Sequence, residues 1–155
     1  MDIRGRLAEF RKQMEQEQMD LYYVPTNDFH GSEYISDYFK VREFLSGFDG
    51  SAGELVITQQ EAGLWTDGRY FLQAKKQLEG SGITLYRSGQ EGVIKLNDFI
   101  YEKMPEGGKL GCDGRLVSQA WAEGIVRMLS RKSAGLVTSP DIANLVWKDR
   151  PELLH

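Results

Sequence analysis

Residues 54–78 read Glu54-Leu55-Val56-Ile57-Thr58-Gln59-Gln60-Glu61-Ala62-Gly63-Leu64-Trp65-Thr66-Asp67-Gly68-Arg69-Tyr70-Phe71-Leu72-Gln73-Ala74-Lys75-Lys76-Gln77-Leu78. Residues 54–58 and 63–67 are rich in β-branched, large apolar and aromatic side chains, and only Gln59-Gln60-Glu61-Ala62 joins them. A connection that short turns one strand back on the other, so the pair is expected to be an antiparallel hairpin. A helix is expected at 70–78, directly after Gly68-Arg69 and stopped by Gly80 and Gly82. Strand, strand, helix in that order requires a sheet that mixes antiparallel and parallel neighbours.

Outward from this stretch the same rhythm continues. Toward the N-terminus, Ile3, Leu7, Phe10 and Met14 form one stripe of a helix over 3–17 with Asp2 as its cap. Leu21-Tyr22-Tyr23-Val24 then reads as a strand that Pro25 closes into the polar loop Thr26-Asn27-Asp28-Phe29-His30. Val41, Phe44, Leu45 and Phe48 recur at helical offsets over 40–48 before Gly47, Gly50 and Gly53 interrupt regular structure. Toward the C-terminus, strands are expected at 83–86, 109–112 and 136–138, and helices at 93–103 and 116–130. The fold class is therefore α/β, three layers of α/β/α with a mixed sheet flanked by helices. Residues 1–140 form the domain. Residues 141–155, with the apolar turn Ile142-Ala143-Asn144-Leu145-Val146-Trp147 and then Lys148-Asp149-Arg150-Pro151, read as an exit segment toward further domains.

Composition narrows the function classes. The 155 residues are 41% hydrophobic and 27% charged, which fits one globular domain rather than a disordered or fibrous chain. Nineteen basic against twenty-three acidic residues give a net charge of −4, no footprint for a nucleic acid or an anionic membrane. The only cysteine, Cys112, has no partner for a disulfide and sits in an apolar strand as a buried thiol, which suits a reducing cytoplasm. No apolar run approaches a membrane span or a signal core.

Few residues carry chemistry. The glycines of Gly47-Phe48-Asp49-Gly50-Ser51-Ala52-Gly53 lack the spacing of a phosphate loop and read as backbone devices, for positive φ or close approach. Ser51 lacks a nucleophile-elbow context, and His30, the one internal histidine, has no partners that periodicity supplies for a metal site or a triad. Arg69 is the sharper candidate. It stands in Trp65-Thr66-Asp67-Gly68-Arg69-Tyr70 at the end of a strand, where open sheets collect ligands. Its planar fork could grip a carboxylate or carbonyl, or could pair with Asp67 or Asp49 to fix the turn. Asp113-Gly114-Arg115 echoes the motif, and a simple turn suits both copies.

Ser46-Gly47-Phe48-Asp49-Gly50-Ser51-Ala52-Gly53 together with residues 65–74 closely resembles the first domain of Xaa-Pro aminopeptidases of the long, three-domain cytosolic form. Ser32-Glu33-Tyr34-Ile35 and Trp147-Lys148-Asp149-Arg150-Pro151 fall where that family has them, so the resemblance spans nearly the whole chain. It implies a creatinase/prolidase N-terminal domain with no catalytic residue and no metal ligand of its own. The chemistry would belong to a separate C-terminal catalytic domain, where Asp, His and Glu side chains hold two divalent metals, commonly manganese, that activate a bridging water. Arg69 is implied as the main contact to Xaa-Pro peptides, with His30, Asp49 and Tyr70 on the same rim. A cytoplasmic homodimer is expected of the full-length protein, and no peptidase activity of this chain alone. A stand-alone small-ligand module and a dimerisation module of the same fold are the alternatives.

Overall fold

A computed structural model describes residues 2–25 and 37–152. His30 and the Ser32-Glu33-Tyr34-Ile35 motif lie outside the described residues. Helix α1 (Ile3–Gln16) leads into β1 (Leu21–Val24), a single 3-10 turn (Asp37–Phe39) and α2 (Val41–Ser46). Strands β2 (Glu54–Thr58) and β3 (Ala62–Thr66) follow, then a 3-10 turn (Gly68–Tyr70), α3 (Phe71–Gln77) and β4 (Thr84–Arg87). The chain continues through α4 (Leu96–Lys103), β5 (Lys109–Cys112), α5 (Gln119–Ser130), β6 (Gly135–Val137) and α6 (Ala143–Val146).

The six strands lie in the order β4-β3-β2-β1-β5-β6. The hairpin forms as its short connection demands, β2 against β3 with Leu55 opposite Leu64. Strand β2 also runs antiparallel to β1, while β1–β5, β3–β4 and β5–β6 are parallel, so β2 alone opposes the rest. The carboxyl ends of the other five strands and the amino end of β2 therefore share one edge of the sheet.

Strand alternation sorts the apolar side chains into two cores. Tyr22 and Val24 face one way, with Leu55, Ile57 and Leu64, against Leu7, Phe10 and Met14 of α1, Leu45 of α2, Ala74 of α3 and Val146 of α6. Leu21 and Tyr23 face the other way, with Val56 and Trp65, against Phe99 and Ile100 of α4 and Ile125 and Leu129 of α5. Each fully buried large side chain removes enough apolar surface from water to contribute about 1.5–3 kcal/mol before ordering costs. The two cores on opposite faces make the three layers expected from the sequence. Ile142, Ala143 and Val146, in the segment expected to be an exit, are buried in the first core.

Element ends moved where local hydrogen bonding competes with periodicity. Ser118 accepts from Trp121 N at 3.0 Å and caps α5, so Leu116 and Val117 stay in the preceding turn rather than in the helix expected from 116. Likewise Asp67 leaves β3 to cap the 3-10 turn, accepting from Arg69 N at 3.0 Å. Helix α4 begins at Leu96 rather than 93 because Val93 N closes a turn onto Gln90 O at 3.2 Å.

Candidate functional site

The shared edge of strand ends is built first by a buried arginine. Arg42 of α2 is 5% exposed, and its Nη1 donates to Gly53 O at 2.9 Å while Nη2 donates to Gly50 O. It lies over the Phe48 ring at 5.1 Å and thus holds both ends of the 50–53 turn from beneath. Its Nε has no hydrogen-bond partner among the described residues, and burial pulls the guanidinium pKa below its ordinary value. Thr66 Oγ1 donates to Ala52 O at 2.6 Å and ties the same loop to the end of β3.

The glycines of this loop do different jobs. Gly47 ends α2 at φ +78°, the left-handed geometry glycine adopts without cost. Gly50 and Gly53 are needed for space: a Cβ on Gly53 would meet Phe48 Cε2 at 2.9 Å, and one on Gly50 would meet the same ring.

On that scaffold the Asp67 carboxylate grips Arg69 twice, Oδ1 to Nε at 3.0 Å and Oδ2 to Nη2 at 2.8 Å, besides accepting from the Arg69 N–H. Arg69 therefore pairs with Asp67 and not with Asp49. The hydrogen bonds from Arg69 hold the Asp67 carboxyl below its ordinary pKa and, reciprocally, raise that of Arg69. The Arg69 side chain stays 67% exposed, and its guanidinium lies 5.0 Å from the Tyr70 ring centroid. Tyr70 packs edge-on to Phe48 and joins its hydroxyl to Ser51 Oγ. Asp49 is held by α3, its Oδ1 accepting from Gln73 Nε2 at 2.6 Å and Gln77 Nε2 at 2.9 Å. Arg69 and Tyr70 thus stand together just before α3, and Asp49 lies along α3 against Gln73 and Gln77. Ser51, Gln73 and Arg42 join them, and no spacing in the sequence signalled their part.

The echo at Asp113-Gly114-Arg115 is structural as well as textual. Asp113 grips Arg115 with Oδ1–Nε at 3.0 Å and Oδ2–Nη2 at 2.9 Å and accepts from its N–H at 3.0 Å, the same geometry at the end of β5. Three strand spacings separate the two motifs, about 14 Å. The difference is in the free side of each fork. Arg115 Nη2 also reaches Asp141 at 3.0 Å and Tyr38 Oη at 3.4 Å, whereas Arg69 has no partner among the described residues beyond Asp67 and its aromatic neighbour. Arg69 is the arginine left able to take a further acceptor.

Cys112 is buried in β5, and burial, helped by the Asp113 charge, pushes its thiol up to about 12. Among the described residues no three His, Cys, Asp or Glu side chains group as metal ligands. No described helix is long and apolar enough to cross a membrane.

A mixed six-stranded sheet with helices on both faces and an arginine at its strand ends defines an α/β domain of three layers. The chain belongs to the Creatinase/Prolidase N-terminal domain family, whose model matches residues 6–150. It is 42% identical over 137 residues to aminopeptidase P2 of Arabidopsis thaliana, covering 86% of this chain and 19% of that protein. A probable Xaa-Pro aminopeptidase P of Laccaria bicolor is 40% identical over 148 residues, 94% of this chain and 23% of that protein. The chain therefore spans about a fifth of the length of these curated relatives. Among solved structures, the X-prolyl aminopeptidase of Caenorhabditis elegans, described as a cytosolic enzyme with a di-nuclear active site, superposes with a TM-score of 0.89 at 34% identity, over 99% of this chain and 27% of that one. The N-terminal domain of a cytoplasmic peptidase from Mycobacterium tuberculosis shares the fold, with a TM-score of 0.65 at 22% identity over 92% of this chain and 98% of that one.

Proposed function

We propose that this chain is the non-catalytic N-terminal domain of a cytoplasmic metallo-aminopeptidase that removes the first residue from Xaa-Pro peptides, and that it gates and binds substrate at the rim carrying Arg69. The observation that carries the reading is the Arg69 fork, held rigid by Asp67 yet open on its outer side at the carboxyl end of β3. A preorganised guanidinium loses little rotamer freedom on engaging a peptide carbonyl or carboxylate, and so positions the peptide while chemistry proceeds elsewhere. Tyr70 and Asp49 flank it, and His30 belongs to the same proposed rim. The two-metal centre, with manganese as the metal, belongs in this reading to a separate catalytic domain, and the full-length protein is a homodimer.

The test compares Xaa-Pro peptide hydrolysis, with manganese added, by this chain and by the full-length product of its reading frame. Only the longer product is expected to cleave. In that product Arg69→Ala raises KM with kcat largely retained. Cleavage by this chain alone, or unchanged kinetics in the variant, overturns the reading.

A further inference from the structure

The outer edge of β4 carries an incomplete ladder. Ser88 N donates to Thr66 O at 3.0 Å, so by alternation Tyr86 and Thr84 turn their backbone groups toward β3, in agreement with their register opposite Trp65 and Gly63. Leu85 and Arg87 consequently turn their N–H groups outward, where β4 has no neighbouring strand among the described residues. Beside this edge, α3 and β4 enclose a groove of about 570 Å³, floored by Leu78, Ile83 and Leu85. Leu72, 86% exposed, stands at its lip.

Charge selects the occupant. Lys75 and Lys76 rim the groove without an ion pair among the described residues, and Arg87 lies on the same face, over Phe71 at 5.5 Å. Glu79 is the single acid on that wall, so a chain of net charge −4 is locally positive here. A second copy pairing antiparallel through Leu85 would place its own lysines level with these, because Leu85 sits about 6–7 Å below Arg87 and Lys75 about one helical turn below Phe71. Like charges brought together without counterions oppose that pairing.

We infer that the β4 edge docks an extended polypeptide segment as a seventh strand, one that puts apolar side chains into the groove and an acidic side chain between Lys75, Lys76 and Arg87. Backbone bonds to Leu85 and Arg87 supply the affinity, and the acid opposite the lysines supplies the selectivity. The site is distinct from the Arg69 rim and does not depend on the role proposed there.

The probe is the blocked pentapeptide acetyl-Val-Thr-Glu-Thr-Val-amide, whose alternation presents Val, Glu and Val to one face. Titrated into the isotope-labelled chain, it is expected to shift the amide resonances of Leu85 and Arg87 and to slow their hydrogen exchange. The analogue with Lys in place of Glu binds about tenfold or more weakly, and the exposed double variant Lys75→Glu, Lys76→Glu reverses the preference. Arg87→Pro removes an outward N–H that makes no ladder bond, a substitution edge strands tolerate, and abolishes binding while the sheet remains folded. Equal binding of the two peptides, shifts confined to other parts of the chain, or protection of Leu85 that depends on chain concentration without peptide each overturn the proposal; the last would assign the edge to a second copy.

Discussion

Asp141 Oδ2 accepts a hydrogen bond from Arg150 Nη1 at 2.8 Å, and the two side chains are only 11% and 5% exposed. The same oxygen takes Arg115 Nη2 at 3.0 Å, and Arg150 continues to Asn144 Oδ1 at 2.6 Å and to Tyr38 O at 2.8 Å, its guanidinium over the Tyr38 ring at 3.5 Å. One carboxylate thus ties the segment after β6 to the end of β5 and to the turn before α2.

Removing Asp141 strands a buried guanidinium. Asp141→Ala is expected to destabilise the chain by about 3–5 kcal/mol, the scale for breaking a buried pair from one side. Urea denaturation followed by tryptophan fluorescence measures it. A change no larger than that of an exposed substitution would show that Arg150 finds solvent or another acceptor.

Asp67 and Arg69 are exposed, and their pair is expected to add only slightly to global stability. The Asp67 carboxyl, with its folded pKa lowered, should titrate below the usual range near 3.9 in a carbon-13 experiment. A lowered folded pKa gives a contribution present above the unfolded value and lost as pH falls through the folded one. Arg69→Ala should return the carboxyl to its ordinary range and lower the unfolding midpoint of the chain only slightly.

Cys112 is expected to resist thiol reagents at pH 8 in the folded chain and to react at once in denaturant, since its thiolate forms only near pH 12 when folded. The linkage has a definite sign. A thiol pKa raised by folding adds stability that is fully present below the unfolded pKa, near 8.5, and declines between that value and about 12. Comparing the alkaline limb of stability with that of Cys112→Ala isolates the effect.

Gly63 in β3 lies beneath the stacked rings of Trp65 and Tyr86, whose centroids are 4.3 Å apart. A Cβ there would stand 2.6 Å from Tyr86 Cε2 and 2.9 Å from Trp65 Cζ3. Gly63→Ala should therefore cost about 1–3 kcal/mol by overpacking and perturb tryptophan emission. Wild-type stability and spectrum would mean that the Tyr86 ring swings aside at little cost.

The elements and the layer architecture were legible from local patterns of residues. The short link after Thr58 left only a hairpin, and the alternation of Leu21 and Tyr23 with Tyr22 and Val24 supplied one strand with two apolar faces, each needing its own layer of helices. Local rules of this kind act over a few residues, so periodicity and turn length suffice to reveal them. Element ends were less legible, because a single cap such as Ser118 or Asp67 outweighs the apolar stripe at a terminus. Arg69 was visible as a candidate from its place after a strand, but its partner was not, since Asp67 and Asp49 are both close enough in sequence to serve. Long-range packing settles that Asp67 takes the fork while Gln73 and Gln77 occupy Asp49, and that Arg115, alike in sequence, is closed off by Asp141, 26 residues further on. These outcomes depend on which strand ends the sheet order brings to one edge, and long-range packing sets that order.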